Sequence, residues 1–222
     1  MPTIAIVGAG PGLGLSIART FGGHGFDVAL VSRTRENLNG LVAELTKDGI
    51  TAEGFQADVS APEQLTGALA AATGHFGRID VLEYSPQPNS IMSTPAEVTL
   101  DTLRPQIDGL LYGAVTAVQA VLPDMRKSGS GTLLFTTGGG AIDPHPALAA
   151  LNIAHAALRN WAVNLHNTLG AEGIYAANVS INVAIAEQAP QAGIPYRAPD
   201  EIAQDYWTLH TRRETADHFV GA

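Results

Sequence analysis

The stretch "TIAIVGAGPGLGLSIARTFGGHG", Thr3 to Gly25, decides the fold. Its opening is a short run of β-branched and small apolar residues with no polar alternation, the pattern of a strand buried on both faces of a parallel sheet. Its second half places apolar residues at helical spacing and closes on glycines, as a helix C-terminus does. Between the two lie Gly8, Gly10, Gly12 and Gly14. Glycine at this junction lets the chain turn sharply and lets backbone N–H groups come close to an anion, at a helix end whose dipole already favours negative charge. The junction predicts a phosphate-binding turn. No Lys-Ser or Lys-Thr follows the glycines, which disfavours a Walker-type loop.

Strand-like and helix-like segments then alternate to the end of the chain. Strands are predicted at "DVALVS", "TAEGFQADV", "IDVLEYS", "GTLLFTTG" and "IYAANVSIN". Helices are predicted between them, including one continuous helix from Thr99 to Gly129, one around Leu151–His166, and a last one running from Pro199 to Phe219. This alternation predicts a Rossmann-type, doubly wound parallel sheet in a three-layer α/β/α single domain over residues 1–222. Periodicity fails once, in a Pro-rich segment around residues 186–200, which reads either as a lid on the substrate side or as an ordinary surface loop.

Composition narrows the function classes. The 222 residues carry a formal charge of −9, and the Lys and Arg residues are scattered, so neither nucleic acid nor an anionic membrane is an expected partner. The longest apolar stretch, "LLYGAVTAVQAVLP", is too short to span a bilayer and contains Gln119. There is no cysteine, hence no disulfide framework, and no His and carboxylate spacing suggests a metal site. The N-terminus enters the glycine turn directly and is not read as a signal peptide. A cytoplasmic protein acting on a small molecule is the expectation.

The Gly-x-x-x-Gly-x-Gly spacing of Gly8, Gly12 and Gly14, together with "ADV" (57–59), "FGRIDVL" (76–82), "AVLPDMRKSGSGTLLF" (120–135) and "AALRNWAVNL" (156–165), resembles the short-chain dehydrogenase/reductase family along most of the chain. The resemblance implies a nicotinamide dinucleotide held by the turn (Gly8, Pro11, Gly12, Leu13, Gly14), by Asp58 and Val59 at the adenine, and by Ser85 and Pro86 after the fourth strand. The end of the second strand, Ser32, Arg33 and Arg35, separates the cofactors. An acidic residue there accepts bonds from the adenosine ribose, whereas a guanidinium favours a 2′-phosphate. With Arg33 where NAD-preferring members carry Asp, NADP is expected over NAD. The competing reading is that both arginines are solvated residues at a helix start.

The resemblance also implies four catalytic side chains, Asn, Ser, Tyr and Lys, and aligns them with Leu110, Gly138, Leu151 and His155. None of the four is retained. The Asn-Asn-Ala-Gly element after the fourth strand reads "YSPQ" at Tyr84–Gln87, and the Pro-Gly after the sixth strand reads Ile181-Asn182. Replacement candidates are His155, which either bonds a ribose hydroxyl and exchanges protons or is a buried neutral core histidine. Thr137, with Thr136, either substitutes for the serine hydroxyl or fills the strand. Tyr84 is a relocated acid or a wall of the nucleotide pocket, and His145 either lines the entrance or is a loop residue. Three functions follow: an NADPH-dependent oxidoreductase with an atypical site acting on an imine or enone, a dinucleotide-binding sensor or partner subunit without turnover, and a non-redox enzyme. The resemblance further implies a homodimer or homotetramer paired through the helices containing Leu110 and Leu151; since only "VGA" follows the last predicted helix, the family's usual last strand is expected to be short or absent.

Overall fold

The computed structural model describes residues 1–89 and 91–221. In chain order these form β1 (Thr3–Val7), α1 (Leu13–Gly23), β2 (Asp27–Ser32), α2 (Arg35–Lys47), β3 (Ala52–Gln56), α3 (Pro62–Phe76), β4 (Val81–Tyr84), α4 (Leu100–Ile107), α5 (Gly113–Ser128), β5 (Gly131–Gly138), α6 (Ala149–Leu169), β6 (Ile174–Ile181), β7 (Ala184–Ile185), β8 (Tyr196–Arg197), α7 (Pro199–Arg212) and β9 (Asp217–Val220). The main sheet runs β3-β2-β1-β4-β5-β6-β9. All its pairings are parallel. The winding direction reverses between β1 and β4, so their carboxyl ends open the crevice in which such sheets take ligands.

Alternation along the strands divides the interior in two. Ile4 and Ile6 of β1 pack with Leu15 and Ile17 of α1, Leu38 and Leu41 of α2, and Ile202 and Tyr206 of α7. Ala5 and Val7 point the other way, into the layer containing Leu65 and Leu69 of α3, Ala117 and Val121 of α5, and Leu158 and Ala162 of α6. Every residue of β1 is buried, which is why its sequence shows no polar alternation. Among the described residues no helix is long and apolar enough to cross a membrane.

Three expectations are corrected. The helix predicted from Thr99 to Gly129 is two helices joined by a π-helical stretch, Asp108–Tyr112. Its cause lies in β4: the Tyr84 hydroxyl donates to the Gly109 carbonyl at 2.5 Å, so the Gly113 N–H bonds to Asp108 instead. Gly113 is required because a Cβ there would run into the Tyr84 hydroxyl. The final helix stops at Arg212, where Arg213 turns into the left-handed region at φ 57°, and "DHFV" becomes β9. Asp217 draws that strand onto β6 by accepting from Arg159 Nε and Asn178 Nδ2, each at 2.9 Å. The segment around 186–200 is not wholly irregular, since β8 lies within it and pairs with β7 just before it.

Tyr84→Phe therefore strands a buried carbonyl and is expected to destabilise the protein by about 1–3 kcal/mol. Calorimetric melting checks this, with Gly113→Ala, which brings a methyl against the hydroxyl, falling further. An unchanged melting temperature for Tyr84→Phe would contradict the role given to the hydroxyl.

Candidate functional site

The site is built on the turn after β1. Gly8 has φ 95°, and a Cβ on it would lie 2.5 Å from the backbone of Pro86, so the ends of β1 and β4 touch only because this residue is glycine. Gly14 lets α1 settle on the same turn, with its absent Cβ facing Ala9 Cα at 3.3 Å. The amides of Gly8 and Ala9 both donate to the Val31 carbonyl at 3.0 Å. Asn37 Nδ2 ties the turn to β2, donating to Ala9 O at 2.9 Å and Ser32 Oγ at 3.0 Å. Helix α1 begins after Gly12 with no side-chain cap and no acidic residue in its first turn. The Leu15 N–H is taken by the Gly10 carbonyl at 3.0 Å, which leaves those of Leu13 and Gly14 open to an anion.

Around this turn lies a cavity of about 790 Å³. It brings together Gly8, Pro11, Ser32, Arg33, Asp58, Val59 and Pro86, as well as Gly10. Gly12, Leu13, Gly14, Arg35, Ser85 and His155 are not on its wall. Arg35 is turned away, donating from Nη1 to the Gly54 carbonyl at 2.9 Å, so of the two arginines Arg33 alone faces the cavity. The Ser85 hydroxyl faces Glu83, donating to Oε2 at 2.8 Å. Hydrogen bonds from the Ser60 hydroxyl and amide hold the Asp58 carboxyl below the usual carboxylate range, with Arg33 adding to the effect. Both Ser60 bonds fall on Oδ1, at 2.7 and 2.9 Å.

Sequence reasoning missed much of the rest of the wall, including Asn37, Gln87, Asn89, Ile91, Arg104, Gln106 and Asp108. For Asn37 a signal existed, since Leu38, Leu41 and Leu45 mark the buried face of α2 and Asn37 borders it. For Gln87, Asn89 and Ile91 none did, because the segment between β4 and α4 has no period to read, and for Arg104, Gln106 and Asp108 the helical pattern does not tell which polar side chains meet a cavity.

A glycine turn that a Cβ would close, free helix amides, an acceptor at Asp58 and a guanidinium at the β2 end fit an adenine dinucleotide. The comparisons agree on the family. A model described as short chain dehydrogenase matches residues 2–187. The chain belongs to the short chain dehydrogenase family. The Dehydrogenase/reductase SDR family member 4 of Sus scrofa is 29% identical over 154 residues, covering 69% of this chain and 55% of that one. The chain thus spans about half the length of that curated relative. Two solved structures share the fold, each aligned over 99% of this chain and 94% of its own. They are the L-sorbose reductase of Gluconobacter frateurii complexed with NADPH and L-sorbose (TM-score 0.88, 21% identity) and a putative oxidoreductase of Escherichia coli (0.90, 24%).

The four positions that the sequence reading aligns with the family's catalytic side chains lie in two pairs. Leu110, in the π stretch, and Leu151, in α6, sit in one apolar cluster with Ala154. Gly138 and His155 form the other pair: the Gly138 amide donates to His155 Nδ1 at 3.2 Å, which leaves the ring proton on Nε2. Burial lowers the His155 pKa to about 4, so its ring is neutral at physiological pH. A Cβ at Gly138 would stand 3.2 Å from Nδ1, so the missing serine side chain makes room for the imidazole.

The other catalytic candidates are corrected. Thr137 is buried in the layer beneath α6, with Oγ1 donating to Asn178 Oδ1 and sharing a bond with Ser180 Oγ, both at 3.0 Å. It cannot replace a serine that meets substrate. Tyr84 is fully buried, is absent from the cavity wall, and has its phenol pushed well above the usual range by burial. It is neither an acid nor a wall of the nucleotide pocket but the support of the π stretch. Thr136 Oγ1 donates to Glu83 Oε1 at 2.8 Å and meets the Tyr206 hydroxyl at 2.6 Å. His145 is fixed through its carbonyl, which accepts from Asn152 Nδ2 at 2.9 Å.

Glu83 was not foreseen at all. It is a carboxylic acid with no exposed surface in the central strand, and burial raises its pKa from 4.5 to about 7. Between those values the folded chain holds a proton that the unfolded chain releases, so this group's contribution falls as pH rises through the window and is constant above it. From pH 4.5 to 8, Glu83→Gln is expected to gain on the parent by on the order of 3 kcal/mol. Denaturant titrations across that range check it. Parallel stability profiles for the two proteins would contradict a titrating Glu83.

Proposed function

We propose that the chain is an NADP(H)-dependent oxidoreductase of this family that passes a hydride to a small organic acceptor without the family's tyrosine as proton donor. The observation that carries the cofactor preference is Arg33, which lines the cavity beside Asp58 and makes no ion pair among the described residues. When bound, the cofactor supplies a hydride at its nicotinamide ring. The α1 amides hold the pyrophosphate, Arg33 meets the 2′-phosphate, and Asp58 with the Val59 backbone orients the adenine. His155 offers a neutral N–H and no imidazolium proton above about pH 5. A ketone requires a proton at oxygen as the hydride arrives, whereas a hydride added to an iminium carbon gives an amine with no proton transfer. An iminium, or an enone protonated by solvent, is the acceptor class that fits. The apolar pairing of Leu110 with Leu151 favours a second reading, a dinucleotide-binding sensor or partner subunit without turnover. The exposed side chains of Tyr112 and Ile153 support pairing with a second copy of the chain.

Losing the Arg33 guanidinium removes a charge-assisted contact with one cofactor only. Arg33→Ala is expected to weaken NADPH roughly tenfold to hundredfold while leaving NADH nearly unchanged. Fluorescence titration of the reduced cofactors measures both constants. Equal losses for the two would contradict the 2′-phosphate assignment. Oxidation of NADPH by imines or enones, but not by simple ketones, is the expected activity, and binding with no oxidation by any of them would favour the second reading.

A further inference from the structure

Thr3 Oγ1, Ser93 Oγ and Gln106 Oε1 are buried without a hydrogen-bond partner among the described residues. Of the three residues only Gln106 lines the nucleotide cavity. It has no exposed surface, and its Nε2 donates to the Asn89 carbonyl at 2.8 Å. That bond fixes the amide the right way round, because a carbonyl requires the NH2 group opposite it. The oxygen left over is a pure acceptor. A buried acceptor without a partner is unfavourable until a donor reaches it, and such atoms beside a binding cavity mark places where a ligand completes the bonding.

We propose that Gln106 is a specificity-determining residue that accepts a hydrogen bond from the exocyclic amine of the adenine base. This rests on the nucleotide reading above. Gln106 shares the cavity with Asp58 and Val59, lining it from α4 while they line it from the end of β3. Adenine carries an N–H donor at its 6-position. Hypoxanthine carries a carbonyl oxygen there, which would face the Gln106 oxygen acceptor to acceptor. The anchor on Asn89 keeps the side chain from rotating to present its NH2 group instead.

The test compares NADPH with its hypoxanthine analogue by calorimetric titration of the full chain, for the parent, Gln106→Leu and Gln106→Met. The methionine variant keeps the side-chain length in case leucine loosens the β4–α4 segment. The parent is expected to prefer the adenine form by roughly tenfold or more. The variants should lose affinity for NADPH roughly tenfold while the hypoxanthine form changes by less than about threefold, so that the preference narrows. Equal losses for the two nucleotides would show that Gln106 only supports the loop, overturning the proposal while leaving the nucleotide reading intact. Binding of neither nucleotide by the parent would overturn both.

Discussion

The contact between Gly8 and Pro86 is the constraint on which the site depends. A left-handed glycine at the end of β1 lets the β4 terminus come within a distance that no side chain would permit. With the two strand ends pressed together, the carboxyl side of the sheet has a floor. Gly8, Ala9, Gly10 and Pro11 of the turn then border it, and Arg33, Asp58 and the β4–α4 segment make the walls. Asn37 fixes the turn to β2 from outside. The pieces come from five separate segments of chain, and they share one cavity because parallel strands all end on the same side.

The catalytic side of the crevice follows a different logic. Leu110, Gly138, Leu151 and His155 form two physically coherent pairs, one apolar and one hydrogen bonded. Leucine packing on leucine needs no water or proton relay nearby. An imidazole that accepts a backbone N–H on one nitrogen is locked into one tautomer, and its burial keeps it neutral. On the proposed reading the site places and excludes rather than delivers a proton. That is a workable arrangement for an acceptor that is already electron-poor, and an equally coherent one for binding alone.

Most of the fold was legible because its signals are local. The wholly apolar β1, the glycine turn and the alternation of periods are each read from a few adjacent residues. The α4–α5 break was not legible, since its cause is a tyrosine hydroxyl on a strand that lies 25 residues earlier in the chain. The same limit explains the site. Arg33 and Asp58 could be placed by motif, but the direction of the Arg35 side chain, set by the Gly54 carbonyl, could not. Tyr84 and Thr137 were drawn toward catalysis by their positions at strand ends, and side-chain direction within the sheet sends them into the core instead. Glu83 broke the strand's apolar pattern, yet the two hydroxyls that bond it come from β5 and the following turn, with the Tyr206 hydroxyl of α7 bonded in turn to Thr136, which no local reading connects.

The central claim is that the cavity is shaped for a 2′-phosphorylated adenosine independently of the catalytic side. The most direct measurement is calorimetric titration of the chain with adenosine 2′,5′-bisphosphate, the half-molecule that lacks nicotinamide, with 5′-AMP as the control. The account predicts saturable binding of the bisphosphate that is tighter than that of 5′-AMP by roughly tenfold or more. Binding of neither, or the same affinity for both, would contradict it.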